Sequence, residues 1–274
     1  MPLKGRKIGF LGGGAMGEAL VAGLLRAGLA APSQIYISDV SEQRLEQLRQ
    51  KLGVNTTADN RAVAREADIV VIAVKPYVAA AVLKEIAAEA KPDQVYISIA
   101  AGVTISQIES FLEGPVPVIR VMPNTPCLVG EGASAISAGK HAGEESVKAA
   151  RAIFNAAGKA VEVPEQQLDC VTGLSGSGPA YMYLVLESLI DGAVRLGLPG
   201  DTARELAAQT MLGAAKMVLE TTEHPAKLKN MVTTPGGTTA AGLFALEEGA
   251  LRSVLMKAVA DAARRSREMS GAKD

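Results

Sequence analysis

A glycine-rich turn near the start of the chain constrains its fold more than any other feature. A short apolar run ends at Leu11, the sequence Gly12–Gly17 (GGGAMG) follows directly, and a helical pattern comes next. A strand, a glycine turn and a helix in this order are typical of dinucleotide-binding folds. Gly12 allows the tight turn, Gly14 lets a pyrophosphate approach the backbone, and Gly17 lets the helix pack closely on the strand. The spacing therefore predicts a Rossmann domain.

Strands and helices alternate after this turn. Apolar runs predict buried parallel strands over residues 34–38, 68–74, 94–100 and 116–122, with helical patterns at 59–66, 78–90 and 106–111. Two further strands, at 132–138 and 160–163, flank a predicted helix over 144–157. After Pro164 the predicted strands cease, and helices separated by glycine and proline follow. We therefore expect an α/β Rossmann domain over residues 1–164 and an all-α domain over residues 165–274.

The carboxyl ends of the parallel strands should form the cofactor crevice, because ligands bind there in doubly wound sheets. The glycine turn and the residues that follow the next strands lie at such ends, and the turn Pro123–Pro126 should face the same crevice. The predicted cofactor-binding residues are Leu11, Gly12, Gly13, Gly14, Ala15, Met16, Gly17, Asp39, Asn60, Ala73, Val74, Lys75, Pro76, Ala100 and Ala101.

Two residues bear on the choice between NADH and NADPH. Asp39 ends the second strand about 20 residues beyond the fingerprint, where an acidic residue would bond the adenosine ribose, and this favours NAD. Arg44, on the helix that starts after Ser41, could instead meet a 2′-phosphate. Asp39 is also compatible with a plain turn residue and Arg44 with a solvated helix face. The sequence leaves both cofactors open.

The composition argues against two classes of partner. Lysine plus arginine (28) nearly cancels aspartate plus glutamate (29), and the chain has no tryptophan, four phenylalanines and five tyrosines. An overall basic field and a set of base-stacking rings are both missing, so we expect no nucleic acid partner. No uninterrupted apolar run approaches the roughly 18 residues of a membrane span, so we expect no membrane association.

The cysteines and histidines indicate neither a disulfide framework nor a metal site. Cys127 and Cys170 are too few and too far apart for a framework, which fits a reducing cytoplasm. His141 and His224 belong to no zinc-binding spacing. We therefore expect a cytoplasmic protein without a metal.

A second glycine turn, Thr233–Thr239 (TTPGGTT), precedes a helical run in the C-terminal half. Pro235 stops any preceding helix, the two glycines free the backbone, and two threonines stand where the next helix begins. Several backbone N–H groups would point outward unsatisfied, so the turn could hold an anion. An ordinary helix start remains the alternative.

The helical run Arg204–Glu220 has a narrow polar face. Its charged and amide side chains fall on one stripe of the helical wheel, and nearly all other positions are apolar or small: the stripe consists of Glu205, Gln209, Lys216 and Glu220. A helix of this kind is buried by more than one neighbour, which predicts an extensive subunit interface.

Taken together, the motifs resemble those of the pyrroline-5-carboxylate reductase family over essentially the whole chain. The stretch around Pro235 is highly specific for that family. The segments that carry the resemblance are Gly12–Gly17, Ala73–Pro76, Met122–Pro126, Leu174–Tyr181 and Pro225–Glu247.

The resemblance implies an activity and an assembly. Members of the family reduce the C=N bond of L-1-pyrroline-5-carboxylate to L-proline with NADPH or NADH, the last step of proline biosynthesis. Their Rossmann domain is followed by an all-α dimerisation domain that interleaves with its partner. The resemblance thus implies a homodimer, and in many members five dimers form a decamer.

The resemblance also implies substrate-binding residues. In the family the substrate carboxylate sits on backbone N–H groups that match Gly237, Thr238 and Thr239, and the hydroxyl that matches Thr239 reaches the ring nitrogen as the catalytic contact. The positions that match Glu165 and Glu223 lie near the substrate. Many members prefer NADPH, whereas Asp39 departs toward the NAD-type pattern.

Two alternatives stay open at this point. A 3-hydroxyacid dehydrogenase-like oxidoreductase would need a catalytic lysine in the first long helix of the second domain, but Gly178–Ile190 contains none. A non-catalytic dinucleotide-sensing protein would bind the cofactor without turnover. The lack of histidine and lysine in Thr233–Thr239 fits imine reduction, because an imine nitrogen can be protonated before hydride arrives.

Overall fold

The computed structural model describes residues 2–112 and 114–270, which divide into two compact units. One unit comprises the residues up to Ser177 together with the C-terminal segment from Asp261, and the other is Gly178–Ala260. This division separates residues that pack mainly with others of their own unit. The expected domain boundary after Pro164 is drawn by composition, and it stays a prediction.

The first unit is built on one sheet, whose strands have the order β3-β2-β1-β4-β5-β6-β7-β8. Neighbouring strands are parallel, except that β6 and β7 are antiparallel. The order from β3 to β6 is that of a doubly wound dinucleotide-binding sheet, so the predicted Rossmann fold is confirmed. The strands are β1 Ile8–Leu11, β2 Ile35–Ser38, β3 Asn55–Thr57, β4 Ile69–Ile72, β5 Val95–Ser98, β6 Val118–Met122, β7 Gly132–Ala138 and β8 Gly158–Glu162.

Helices connect these strands and make up the second unit. They are α1 Ala15–Arg26, α2 Glu42–Leu52, α3 Asn60–Glu66, α4 Pro76–Ile86, α5 Ile105–Phe111, α6 Glu144–Asn155, α7 Leu168–Val171, α8 Gly178–Arg195, α9 Gly200–Thr221, α10 Pro225–Met231, α11 Thr238–Glu248 and α12 Leu251–Met269. As expected, the described residues after Pro164 form no strand.

The core explains why the central strands read as continuous apolar runs. Ile69 and Val71 of β4 pack into one apolar cluster with residues of α1 and α6, while Val70 and Ile72 pack into a second cluster with residues of α3, α4 and α5. Successive side chains of a strand point to opposite faces, so a sheet covered on both faces needs apolar residues at every position.

The short strand β3 is absent from the sequence predictions. It pairs in parallel with β2 at the edge of the sheet and consists of Asn55, Thr56 and Thr57. An edge strand of three polar residues carries neither an apolar run nor an alternating pattern, so periodicity could not reveal it.

The end of α12 belongs to the first unit. Ser266 is buried, and its hydroxyl donates to Asp169 Oδ1 at 2.6 Å, a contact between residues 97 positions apart.

The second unit leaves most of its apolar surface uncovered. Among its residues, all of which the structure describes, Ala203 is the only buried one. Large apolar side chains of its helices are exposed, among them Tyr183, Leu184, Leu206, Phe244 and Met256. Apolar surface of this extent marks an interaction surface. Within the described chain, no helix combines the length and apolar character needed to cross a bilayer.

Candidate cofactor and substrate sites

The crevice at the carboxyl ends of β1 and β4 is the point at which the strand order reverses. The Gly12 N–H donates to the Ser38 carbonyl and the Ala73 N–H to the Leu11 carbonyl, each at 2.8 Å, so the residues just beyond three strands are held side by side. A cavity of about 540 Å³ lies here. Its size and its place at the switch point are those of a cofactor site.

Most of the predicted cofactor-binding residues line this cavity. They are Gly12, Gly14, Ala15, Met16, Asp39, Asn60, Ala73, Val74, Lys75, Pro76 and Ala101. The turn after β6, which the sequence also placed at the crevice, contributes Pro123 and Thr125.

The four remaining predicted residues, Leu11, Gly13, Gly17 and Ala100, do not line the cavity. Leu11 and Ala100 are buried in the core. The Gly13 N–H donates to Asp39 Oδ2 at 2.9 Å. At Gly17 a Cβ atom would lie 2.6 Å from the Gly12 carbonyl oxygen, so this glycine serves the packing of α1. The contact of these four residues with a cofactor stays a prediction.

Sequence reasoning missed several lining residues. Ser38 and Ile99 follow from the strand-end rule, which could have found them. Val78 and Val82 stand one helical turn apart on α4, where a helical pattern gives no sign of which face meets a ligand. The missed residues are Ser38, Val40, Val78, Val82, Ile99, Met122 and Leu128.

Gly12 and Gly14 serve different purposes in the turn. Gly12 has φ +105°, and a Cβ there would lie 2.8 Å from the Ala73 carbonyl oxygen, so the turn itself requires glycine. No atom lies within 4 Å of a Cβ built at Gly14, which lines the cavity and forms the N-cap of α1. The space at Gly14 is therefore available to a ligand.

Charged side chains surround the end of the cavity next to β2. Asp39 Oδ2 accepts from the Gly13 N–H at 2.9 Å, and Oδ1 accepts from the Ser41 N–H at 3.0 Å. Arg44 donates from Nε to the Gly13 carbonyl at 2.6 Å and forms an ion pair with Glu18. Asp39 lines the cavity, whereas Arg44 does not.

The carboxylate of Glu18 is held between two cations. Lys51 Nζ lies 2.7 Å from Glu18 Oε1, and Arg44 pairs with the other oxygen. The pKa of Glu18 is therefore below its ordinary value, first through the hydrogen bond from Lys51 and then through Arg44, although partial burial opposes this shift.

The turn before α11 is closed by its own backbone. The Gly237 N–H donates to the Thr234 carbonyl at 3.0 Å, with Pro235 and Gly236 between them. Gly236 has φ +67°, which a type II turn requires at its third position. A Cβ at Gly237 would lie 2.3 Å from Thr234 Oγ1, so the close approach of these two residues also depends on glycine.

The hydrogen bond within this turn determines which backbone N–H groups remain open to an anion. Because the Gly237 N–H is already paired with Thr234, it is not free at the helix start. Gly237 is the N-cap of α11 and supplies no side-chain cap, so the N–H groups of Thr238, Thr239 and Ala240 have no acceptor within the helix. The open donors are thus those of Thr238, Thr239 and Ala240, and carboxylate binding by Gly237 stays a prediction.

The two predicted substrate carboxylates have partners within their own units. In the first unit, Glu165 Oε1 accepts from the Ile105 N–H at 2.8 Å and from Arg120 Nη1 at 3.0 Å, and the Arg120 side chain is only 9% exposed. In the second unit, Glu223 pairs with Lys227 at 2.6 Å. Their placement near a substrate stays a prediction. No cluster of metal-ligating side chains occurs within the described residues.

Two family models match separate parts of the chain. Residues 7–102 match the description "NADP oxidoreductase coenzyme F420-dependent", which covers the glycine turn and strands β1 to β5. Residues 165–269 match "Pyrroline-5-carboxylate reductase dimerisation", which covers the exposed helices.

Individual proteins match over nearly the full length. A curated pyrroline-5-carboxylate reductase of Methanosarcina acetivorans is 49% identical over 97% of this chain and 99% of its own. The solved structure of a pyrroline-5-carboxylate reductase from Coxiella burnetii is 41% identical and superposes with a TM-score of 0.90 over 96% of this chain and 98% of that one. The Plasmodium falciparum enzyme, solved with NADP bound, is 35% identical with a TM-score of 0.87 over 98% and 99% of the two chains. The chain belongs to the pyrroline-5-carboxylate reductase family.

Proposed function

We propose that this chain reduces L-1-pyrroline-5-carboxylate to L-proline by hydride transfer from NADH or NADPH, the last step of proline biosynthesis. The observation that carries the proposal is the 49% identity to a curated reductase over 97% of the chain, because this match includes both glycine turns. The dinucleotide cavity of the first unit and the open helix start of α11 supply the two binding functions that the reaction needs.

A bound reduced nicotinamide supplies the hydride, and the first unit holds the dinucleotide. The Gly12–Gly17 turn lies at the N-terminus of α1, where backbone N–H groups and the helix dipole favour a pyrophosphate. The residues after β4 and β6 line the same cavity.

In the proposed reaction the substrate carboxylate binds to the N-terminus of α11, where Thr238, Thr239 and Ala240 offer their N–H groups. The Thr239 hydroxyl contacts the ring nitrogen. A cationic imine needs no strong acid in its reduction, so orientation by backbone donors and a neutral hydroxyl is sufficient. Glu165 and Glu223 complete the proposed surroundings of the substrate.

The assembly and location are also part of the proposal. The exposed apolar side chains of α8 to α12 support a homodimer in which the helical unit is completed by a second copy. A decamer of five such dimers is the larger assembly proposed. Two unpaired cysteines, Cys127 and Cys170, support a cytoplasmic location. The proposed domains are residues 1–164 and 165–274.

An absorbance assay tests the activity. Purified protein is mixed with pyrroline-5-carboxylate and either NADH or NADPH, and both cofactor oxidation and proline formation are measured. Oxidation of a 3-hydroxyacid with no reduction of pyrroline-5-carboxylate would favour the dehydrogenase alternative. Tight dinucleotide binding without oxidation in any assay would favour the sensing protein.

A further inference from the structure

We propose that the cavity selects NADH over NADPH, with Asp39 as the residue that determines this specificity. The inference rests on the proposed use of a nicotinamide dinucleotide and goes beyond it, because neither the family assignment nor the sequence chooses between the two cofactors.

Two backbone N–H groups hold the Asp39 carboxylate in position. One oxygen accepts the Gly13 N–H at 2.9 Å and the other accepts the Ser41 N–H at 3.0 Å, while the Asp39 N–H donates to the Thr57 carbonyl at 3.3 Å. Each carboxylate oxygen keeps a further lone pair for a donor. A ribose diol brings two O–H donors to this place, whereas a 2′-phosphate brings negative charge and acceptor oxygens.

Arg44 is the cation that the sequence suggests as a ligand for a 2′-phosphate. Its Nε donates to the Gly13 carbonyl at 2.6 Å, its terminal nitrogen pairs with Glu18, and it does not line the cavity. Two of its three nitrogens are thus occupied, and the Glu18 side chain with which it pairs is only 17% exposed. Arg44 therefore stabilises the glycine turn and α1 instead of serving as a phosphate ligand.

A polar network includes Ser38 and Asn60, two further residues that line the cavity. The Ser38 hydroxyl donates to Asn60 Oδ1 at 2.6 Å, and Asn60 Nδ2 donates to Glu85 at 2.8 Å. One of the amide donors of Asn60 is thus already used by a second carboxylate. This network ends at a carboxylate and supplies no cation.

Basic side chains are scarce around the cavity as a whole. Within the part of the chain that the structure describes, Lys75 is the only lysine or arginine that lines it, and it follows β4 and not β2. A 2′-phosphate near Asp39 would meet a like charge at close range, which low local dielectric makes costly. The ribose hydroxyls of NADH meet acceptors, which suit them.

Calorimetric titration of the full-length protein with NADH and with NADPH, without pyrroline-5-carboxylate, tests the proposal. We expect NADH to bind at least about tenfold more tightly than NADPH. Asp39→Asn removes the charge and keeps the shape, and it should shift the ratio of the two affinities toward NADPH by about tenfold or more. Glu42→Gln is the matched control, because it removes one carboxylate at the start of α2 that does not line the cavity, and the ratio should stay unchanged.

Two further variants test the competing cations. Arg44→Met and Lys75→Met should leave the ratio of affinities unchanged, and a selective loss of NADPH binding in either would overturn the proposal. Equal or tighter binding of NADPH by the unaltered protein would overturn it even if Asp39→Asn failed to fold. Because these are binding measurements, a failure of the proposed reaction shows separately, as bound NADH that pyrroline-5-carboxylate does not oxidise.

Discussion

One helix in each compact unit begins with a glycine N-cap beside a glycine turn. α1 follows Gly14 with φ −65° and ψ −178°, and α11 follows Gly237 with φ −80° and ψ 171°. Neither helix start has a side-chain cap. Nearly the same backbone geometry therefore leaves N–H groups open at both places.

The surroundings of the two helix starts differ. α1 buries Leu20 and Leu24 in the core, and its first residues line a cavity of about 540 Å³. α11 buries none of its residues, and Phe244 on it is 66% exposed. A glycine turn is thus sufficient to present donors, but a cavity also requires flanking elements. Within its own unit, the start of α11 presents open N–H groups, but no neighbouring elements enclose them in a cavity.

The largest effect is expected from Gly14→Val. The space around Gly14 is open, so valine should leave the fold intact while it occupies the place of the pyrophosphate. We expect the affinity for NADH to fall by more than about a hundredfold, with a small change in melting temperature. Titration calorimetry and thermal unfolding measure the two quantities.

Gly17→Val is the matched control for that variant. A Cβ at Gly17 would lie 2.6 Å from the Gly12 carbonyl oxygen, so this change should lower the melting temperature strongly. Normal NADH affinity in a folded Gly14→Val protein would contradict the cofactor site.

At the second helix start, Thr239→Val tests the proposed contact with the ring nitrogen. Valine keeps the β-branched shape and removes the hydroxyl. A hydrogen bond to a charged group contributes about 1.5–3 kcal/mol, so kcat/KM should fall by roughly tenfold to a hundredfold while NADH affinity is unchanged. Unaltered kcat/KM and unaltered proline binding would return this turn to an ordinary helix start.

A smaller effect is expected from Thr238→Pro. Thr238 is the first residue of α11 and follows an extended Gly237, so proline fits the backbone there. The change deletes one open N–H, and we expect KM for pyrroline-5-carboxylate to rise by about tenfold. Thr238→Ala keeps that N–H and should behave almost like the unaltered enzyme in the same steady-state assay. Equal KM values for the two variants would mean that this N–H does not hold the carboxylate.

The smallest effect on catalysis is expected from Glu165→Gln, whose main consequence should be a loss of stability if this residue supports the fold. The change removes the carboxylate that pairs with the buried Arg120, so the free energy of unfolding should fall by about 1–3 kcal/mol. Glu162→Gln, at the exposed pair with Arg151, should cost less than about 0.5 kcal/mol. Denaturant unfolding measures both. A raised KM with unchanged stability would instead support a place for Glu165 beside the substrate.

The sequence predicts those features of the fold that follow from the spacing of glycines and apolar residues along the chain. The distinct purposes of Gly12, Gly14 and Gly17 follow from the fingerprint and agree with the geometry around each of them. The sequence also predicts that residues after strand ends, such as Asp39 and Lys75, lie at the crevice, because parallel strands bring their carboxyl ends together.

Other features depend on which groups meet in space. The Gly237 N–H was expected to bind the substrate, but the turn brings the Thr234 carbonyl within 3.0 Å of it. Arg44 likewise contacts Glu18 and the Gly13 carbonyl, which lie 26 and 31 positions away from it in the sequence. The spacing of residues in the sequence does not predict such long-range contacts.

The bond between Ser266 and Asp169 has a consequence for the synthesis of the protein. The strands of the first unit leave the ribosome early, but this unit also includes the segment from Asp261, and the bond spans 97 positions. The Rossmann sheet can therefore begin to form during translation, whereas its last tertiary contacts wait until the C-terminal helix has emerged. A nascent chain that stops after α11 would contain the Rossmann sheet but would lack the segment from Asp261 and its bond to Asp169.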